Sequence, residues 1–199
     1  MITEFIHKFV PGKSPATILA LHGTGGDEND LLPVVRALAP GAAVLSPRGR
    51  AVQNGAIRFF NEGEIRSRAA DLAAWIEAAV QQYSLDAGRV YAIGYSNGAS
   101  IAAALMLLHP GAIAGGYLLR PSVVVRPEVI PNLNGAPVLI GSGEQDTLAL
   151  PARAEELAQL LTDAGARVDL AVQNAGHDLT PQDFGLGKQW FATLLAASA

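Results

Sequence analysis

The sequence predicts an α/β fold: one domain over residues 1–199 with a mainly parallel, doubly wound sheet. Three observations carry that prediction. Short apolar runs alternate with longer segments of helical period along the whole chain. The runs are continuously apolar rather than alternating, as in parallel strands covered on both faces. No repeat, low-complexity tract or Pro/Ser-rich linker divides the 199 residues.

Residues 17–21, 43–45, 90–94, 116–119, 138–140 and 168–172 read as strands, and a first strand around His7 precedes them. Between them, Ile65, Ala69, Leu72, Ile76, Val80 and Tyr83 recur three or four apart and form one apolar stripe. Ala154, Leu157, Leu161 and Ala164 repeat the pattern, with Gly165 placed to cap the helix end. Thr180-Pro181 places a capping residue before proline at the first helical position. The helix they open runs through Phe184, Phe191 and Leu195. Strand alternating with helix implies right-handed crossovers.

Composition narrows the function. Half of the residues are apolar and 16% are charged, a balance that favours a packed core over disorder. The net charge of −4 is scattered, with no basic stripe for nucleic acid and no polybasic anchor for lipid. Without cysteine there is no disulfide, no thiolate metal site and no cysteine nucleophile. The first twelve residues lack signal-peptide character, and the apolar run 101–108 is too short to span a bilayer. A cytoplasmic protein without stable membrane association is expected.

The most informative segment is 89–108. An apolar strand runs into Gly94-Tyr95-Ser96-Asn97-Gly98, and a small-residue helix follows from Ala99. A serine at the tip of so tight a turn needs glycines two positions either way, because side chains there would collide. The turn exposes the hydroxyl and aims the start of the new helix at it. In another setting the same residues would be an ordinary tight turn.

A serine hydroxyl needs a base, and the chain has four histidines. His7 lies on the first strand, His22 precedes a glycine loop, and His109 ends the helix after the serine. His177 follows the last strand, in a loop on the same sheet edge as Ser96. Its structural alternative is a cap ahead of the final helix. A carboxylate should orient the imidazole, and the loop after strand 138–140 supplies Glu144 and Asp146. Asp146 lies further into the loop and is the better placed; Glu144 competes. The order Ser96, Asp146, His177 is that of α/β-hydrolases.

Attack on an ester carbonyl creates an oxyanion that requires N–H donors already in place. Thr24, within His22-Gly23-Thr24-Gly25-Gly26, and Asn97, directly after the serine, are the expected donors, with His22 bracing the loop. This glycine run lacks the Gly-Lys-Ser/Thr ending of a phosphate loop and the glycine spacing of a dinucleotide site.

At these residues the sequence resembles the phospholipase/carboxylesterase family of α/β-hydrolases, relatives of acyl-protein thioesterases and dienelactone hydrolases. The likeness rests on Leu21-His22-Gly23-Thr24-Gly25-Gly26-Asp27-Glu28, Ser46-Pro47-Arg48-Gly49 with Arg58-Phe59-Phe60, Gly94-Tyr95-Ser96-Asn97-Gly98, and Gly176-His177. It implies a single-domain α/β-hydrolase fold without an inserted lid, a triad of Ser96, Asp146 and His177, and an oxyanion loop at Thr24 with Asn97. Two departures stand out. Asn61-Glu62-Gly63-Glu64 passes almost directly into a helix, which should shorten one wall of the acyl site. Dienelactone hydrolases use a cysteine nucleophile, which this chain cannot supply. The strand-to-helix connection after Leu119 holds only residues 120–135, so the site should be open.

The expected activity is therefore a carboxylesterase acting on small soluble carboxylic esters or thioesters through an acyl-enzyme, with no cofactor and no metal. Phe59, Phe60 and Leu148 could wall the substrate, although burial in the core competes for at least one of them. Arg48, Arg58 or Arg120 could meet a substrate carboxylate, against the alternative of structural pairing. The rival readings are a ligand receptor on a hydrolase scaffold, an acyl-protein thioesterase or lysophospholipase-like hydrolase, and a serine peptidase or lyase. The apolar fraction leaves room for a homodimer.

Overall fold

A computed structural model describes residues 4–196. Seven strands form the main sheet: β1 (His7–Val10), β2 (Thr17–Leu21), β3 (Ala43–Pro47), β6 (Val90–Tyr95), β7 (Gly115–Leu119), β8 (Pro137–Gly143) and β9 (Arg167–Gln173). Their spatial order is β1-β3-β2-β6-β7-β8-β9. Six of them run parallel, and β1 pairs antiparallel with β3 at one edge. A separate hairpin joins β4 (Ala51–Gln53) to β5 (Ala56–Arg58).

Period-two side-chain alternation divides the core into two layers. Leu19 and Leu21 of β2, Val90 and Ala92 of β6, and Val138 and Ile140 of β8 face one layer. That layer is closed by α2 (Ile65–Gln82), α3 (Asn97–Leu108) and α4 (Pro151–Asp163). Ile18 and Ala20, Tyr91 and Ile93, and Leu139 face the other. There α1 (Leu32–Leu38) and α5 (Pro181–Ala196) cover the sheet.

The strands expected from the sequence are present, each within two residues of its expected ends except β8, which runs three residues further, to Gly143. The connection after Leu119 differs from expectation: residues 120–136 reach β8 without any helix. Pro121, Pro127 and Pro131 explain this, since each removes a backbone donor and restricts the residue before it.

Strand order also places the functional edge. The chain moves from β2 outward to β3, then returns to lay β6 against the other side of β2. In open α/β sheets the crevice at such a reversal, beyond the carboxyl ends of the strands, is where ligands bind. Leu21, the last residue of β2, is in register with Gly94 of β6. The loop starting at His22 therefore emerges beside the turn carrying Ser96.

Candidate active site

The turn between β6 and α3 is as tight as its sequence demands. A Cβ added at Gly98 would lie 2.0 Å from the Leu21 carbonyl oxygen, and one at Gly94 would lie 2.6 Å from the Gly98 oxygen. Ser96 itself sits at φ 52°, ψ −113°, a strained conformation costing about 1–3 kcal/mol for a residue with a side chain. It persists because the backbone on both sides is fixed. The Ser96 N–H donates to the Leu119 carbonyl at 2.8 Å, and its own carbonyl accepts the first bond of α3, from Ser100 N–H at 2.9 Å.

His177 lies 81 residues further on, in the loop from β9 to α5, with its Nε2 3.0 Å from Ser96 Oγ. Its Nδ1 is 2.8 Å from Asp146 Oδ2. A carboxylate accepts only, so this contact places the ring proton on Nδ1 and leaves Nε2 as an acceptor toward the serine. The other oxygen, Asp146 Oδ1, accepts the N–H groups of Leu148 and Ala149, both at 2.8 Å. Burial alone would raise the Asp146 pKa, but the bonds from Ala149, His177 and Leu148 outweigh it and hold the carboxyl below its ordinary value. Glu144 is exposed at the loop surface.

Thr24 and Asn97 border the same cleft, a space of about 520 Å³ that also exposes Ser96 and His177. Asn97 opens α3, so its N–H is among the helix-start donors that have no intrahelical partner. The Thr24 loop is anchored by Gly25 N–H donating to the Ile57 carbonyl at 2.8 Å. His22 is buried beneath it. Gly49 N–H donates to His22 Nε2 at 2.9 Å, which leaves Nδ1–H to donate to the Gly23 carbonyl at 2.7 Å. Burial holds the His22 pKa below its ordinary value, in keeping with a neutral ring that braces the loop.

The residues considered for substrate contact separate clearly. Phe60 lines the cleft, and Leu148 stands 76% exposed at its rim. Phe59 does not reach the cleft: it is buried, with its ring centroid 4.7 Å from that of His22. Arg120 also departs from expectation. It borders the cleft but is 1% exposed, and its guanidinium is engaged by both oxygens of Asp183. That pairing takes it out of substrate binding. Arg48 is likewise engaged, donating from Nε and Nη2 to Glu28. Arg58 is engaged only in part: it lines the cleft, its Nη1 donates to Gln53 Oε1, and its Nε is buried with no hydrogen-bond partner.

Three contacts had no counterpart in the sequence reading. The Asn97 side chain accepts from Phe59 N–H at 2.7 Å and donates to the Phe60 carbonyl at 3.2 Å, tying the segment after β5 to the Ser96 turn. Ser100 Oγ accepts from Ser122 N–H at 3.0 Å. Tyr95 O–H donates to the His177 carbonyl at 3.1 Å. Spacing could not have signalled them, because each partner comes from a distant loop.

A second hollow of about 620 Å³ adjoins the cleft and shares Arg58, Phe60, Ser122 and Val124 with it. Asn61, Glu62 and Gly63, from the short passage into α2, form part of its wall. Among the described residues no group of three or more His, Asp or Glu side chains could hold a metal ion, and no helix is long and apolar enough to cross a membrane.

A parallel sheet with helices on both faces and a reactive edge at the ends of β2, β6, β8 and β9 defines an α/β-hydrolase of the esterase kind. Residues 50–184 match the model of the dienelactone hydrolase family, and the chain belongs to that family. It is 37% identical over 193 residues to MhqD of Bacillus subtilis, a hydrolase by its name, covering 93% of this chain and 96% of that one. The crystal structure of a Bacillus cereus carboxylesterase is 38% identical, with a TM-score of 0.90 over 94% of this chain and 92% of the other. A carboxylesterase from Mesorhizobium loti is 34% identical, with a TM-score of 0.84 over 91% and 90%. This protein is accordingly a hydrolase of the carboxylesterase type.

Proposed function

We propose that this protein is a serine esterase that cleaves small soluble carboxylic esters or thioesters through an acyl-enzyme on Ser96. The observation that carries the reading is the continuous relay from Ser96 Oγ to His177 Nε2 at 3.0 Å and from His177 Nδ1 to Asp146 Oδ2 at 2.8 Å. His177 takes the Ser96 proton as the oxygen attacks the ester carbonyl, and Asp146 stabilises the imidazolium that results. The N–H groups of Thr24 and Asn97 receive the oxyanion. His177 then returns its proton to the leaving alkoxide or thiolate and deprotonates a water molecule, which releases the acid and regenerates Ser96.

Arg58 is the arginine on this edge best suited to a carboxylate on the substrate, since its buried Nε lacks a partner and a guanidinium fork matches a carboxylate. A panel of p-nitrophenyl esters with and without a terminal carboxylate tests that preference.

The test of the activity itself is Ser96→Ala. Hydrolysis of p-nitrophenyl butyrate should fall by several orders of magnitude while the fold stays intact. A folded Ser96→Ala protein that hydrolyses as fast as the parent would overturn the reading. Fluorophosphonate labelling addresses the ligand-receptor alternative: rapid modification that disappears in Ser96→Ala marks an activated nucleophile, and absence of labelling favours a receptor.

A further inference from the structure

We propose that Arg120 is a positioning residue for the catalytic base: with Tyr95 it holds the three consecutive main-chain carbonyls of Gly176, His177 and Asp178, and so fixes the imidazole between Ser96 and Asp146. The inference rests on the esterase reading above. Arg120 Nε donates to the Gly176 carbonyl and Nη2 to the Asp178 carbonyl, each at 3.1 Å. Tyr95 O–H donates to the His177 carbonyl between them, also at 3.1 Å. Burial and the nearby Asp178 charge hold the Tyr95 pKa above its ordinary value, so the hydroxyl keeps the proton it donates.

Both donors belong to the strand ends that fix the nucleophile. Tyr95 immediately precedes Ser96, and Arg120 follows Leu119, whose carbonyl accepts the Ser96 N–H at 2.8 Å. One network therefore ties the backbone of the nucleophile to the backbone of the base. Arg120 adopts φ +53°, a region that residues with side chains keep only where their surroundings over-determine it. Its Nη1 and Nη2 also donate to Asp183, at 2.9 Å to Oδ1 and 2.8 Å to Oδ2. Asp183 in turn accepts from Gln173 Nε2 at 2.7 Å and from Thr180 N–H at 2.8 Å. Stability alone does not require a buried ion pair, because apolar residues of similar volume often serve as well. A planar fork that reaches two carbonyls and a carboxylate at once is something lysine cannot reproduce.

Two variants separate positioning from a purely structural role. Arg120→Lys keeps a charge against Asp183 but loses the fork. Arg120→Met combined with Asp183→Asn removes the ion pair without leaving a buried charge. In each, kcat for p-nitrophenyl butyrate should fall by on the order of tenfold to a hundredfold, the effect of misplacing a catalytic group by about 1 Å. KM should move by less than about threefold, as for a group that acts only in the chemical step. The downfield proton NMR signal of the His177 Nδ1–H···Asp146 bond should broaden or vanish, while melting stays cooperative. Tyr95→Phe should give a smaller loss in the same direction. A cooperatively folded Arg120→Lys protein with parental kcat and a sharp downfield proton would overturn the proposal. Should both Arg120 variants fail to fold, Tyr95→Phe decides in the same way. The NMR signal reports the clamp whether or not the ester is turned over, whereas failure of the esterase reading would appear only in Ser96→Ala.

Discussion

At Gly98 one missing methyl decides how closely α3 can approach the loop that leads from β2 to Thr24. A Cβ there would sit 2.0 Å from the Leu21 oxygen and 2.5 Å from the His22 oxygen, both of them backbone atoms in a strand and its exit and so unable to yield. Gly98→Ala should therefore push the start of α3 away from β2, costing about 1–3 kcal/mol as overpacking does. Esterase activity should drop more than that stability loss explains, because Asn97 moves with the helix. Thermal melting alongside kcat/KM checks it, and a variant with parental values in both would sink the steric account. This glycine was legible in the sequence because its requirement is local, two residues from Ser96. The roles of Phe59 and Arg120 were not. Each is decided by a partner far along the chain, His22 for the first and Asp183, 63 residues away, for the second.

The helices were read from their stripes, and one ends as its sequence indicates. After α4, Gly165 takes φ +82°, its N–H donates to the Thr162 carbonyl at 2.8 Å, and Ala166 N–H donates to the Leu161 carbonyl at 3.0 Å. This paired closure is the Schellman arrangement, which favours glycine because a side chain is strained at positive φ. Gly165→Ala should cost about 1 kcal/mol and lower Tm by roughly 2–4 °C for a domain of this size. Being remote from Ser96, it should leave ester hydrolysis as it was. A Tm unchanged within error would show that the cap contributes nothing. The elements missed in the sequence are the short ones. α1 spans seven residues, too few for a stripe to emerge from the pattern. The β4–β5 hairpin was signalled by Asn54-Gly55, which turns at φ 51° and 79°, but strands of three residues carry no readable alternation.

Across the whole molecule, acid should act on stability in two steps, because each buried group with a lowered pKa contributes with the same sign. His22 is held below its ordinary value of 6.5 by burial. The unfolded chain therefore binds a proton that the folded chain resists, so this contribution is complete above pH 6.5 and declines as pH falls toward the folded value. Three buried carboxylates act lower. Glu28 is kept below 4.5 by its bonds to Arg48, while Asp146 and Asp183 are kept below 3.8. For both aspartates burial pulls the other way and is outweighed by hydrogen bonds, to Ala149 and His177 in one case and to Arg120 and Thr180 in the other. Their contribution is present above those ordinary values and is lost as pH falls through the folded ones. These sites also lie along the edge that carries Ser96: Glu28 beyond the Thr24 loop, Asp146 beside His177, Asp183 behind the His177 loop. Acid unfolding should consequently begin there, and activity should disappear no later than the global fold. Urea midpoints measured from pH 8 to pH 3 should be flat above about pH 6.5, decline gently below it, and fall steeply below about pH 4.5. In His22→Gln the gentle decline should be absent and the steep one retained; a parental profile in that variant would rule out His22 as the source of the first step.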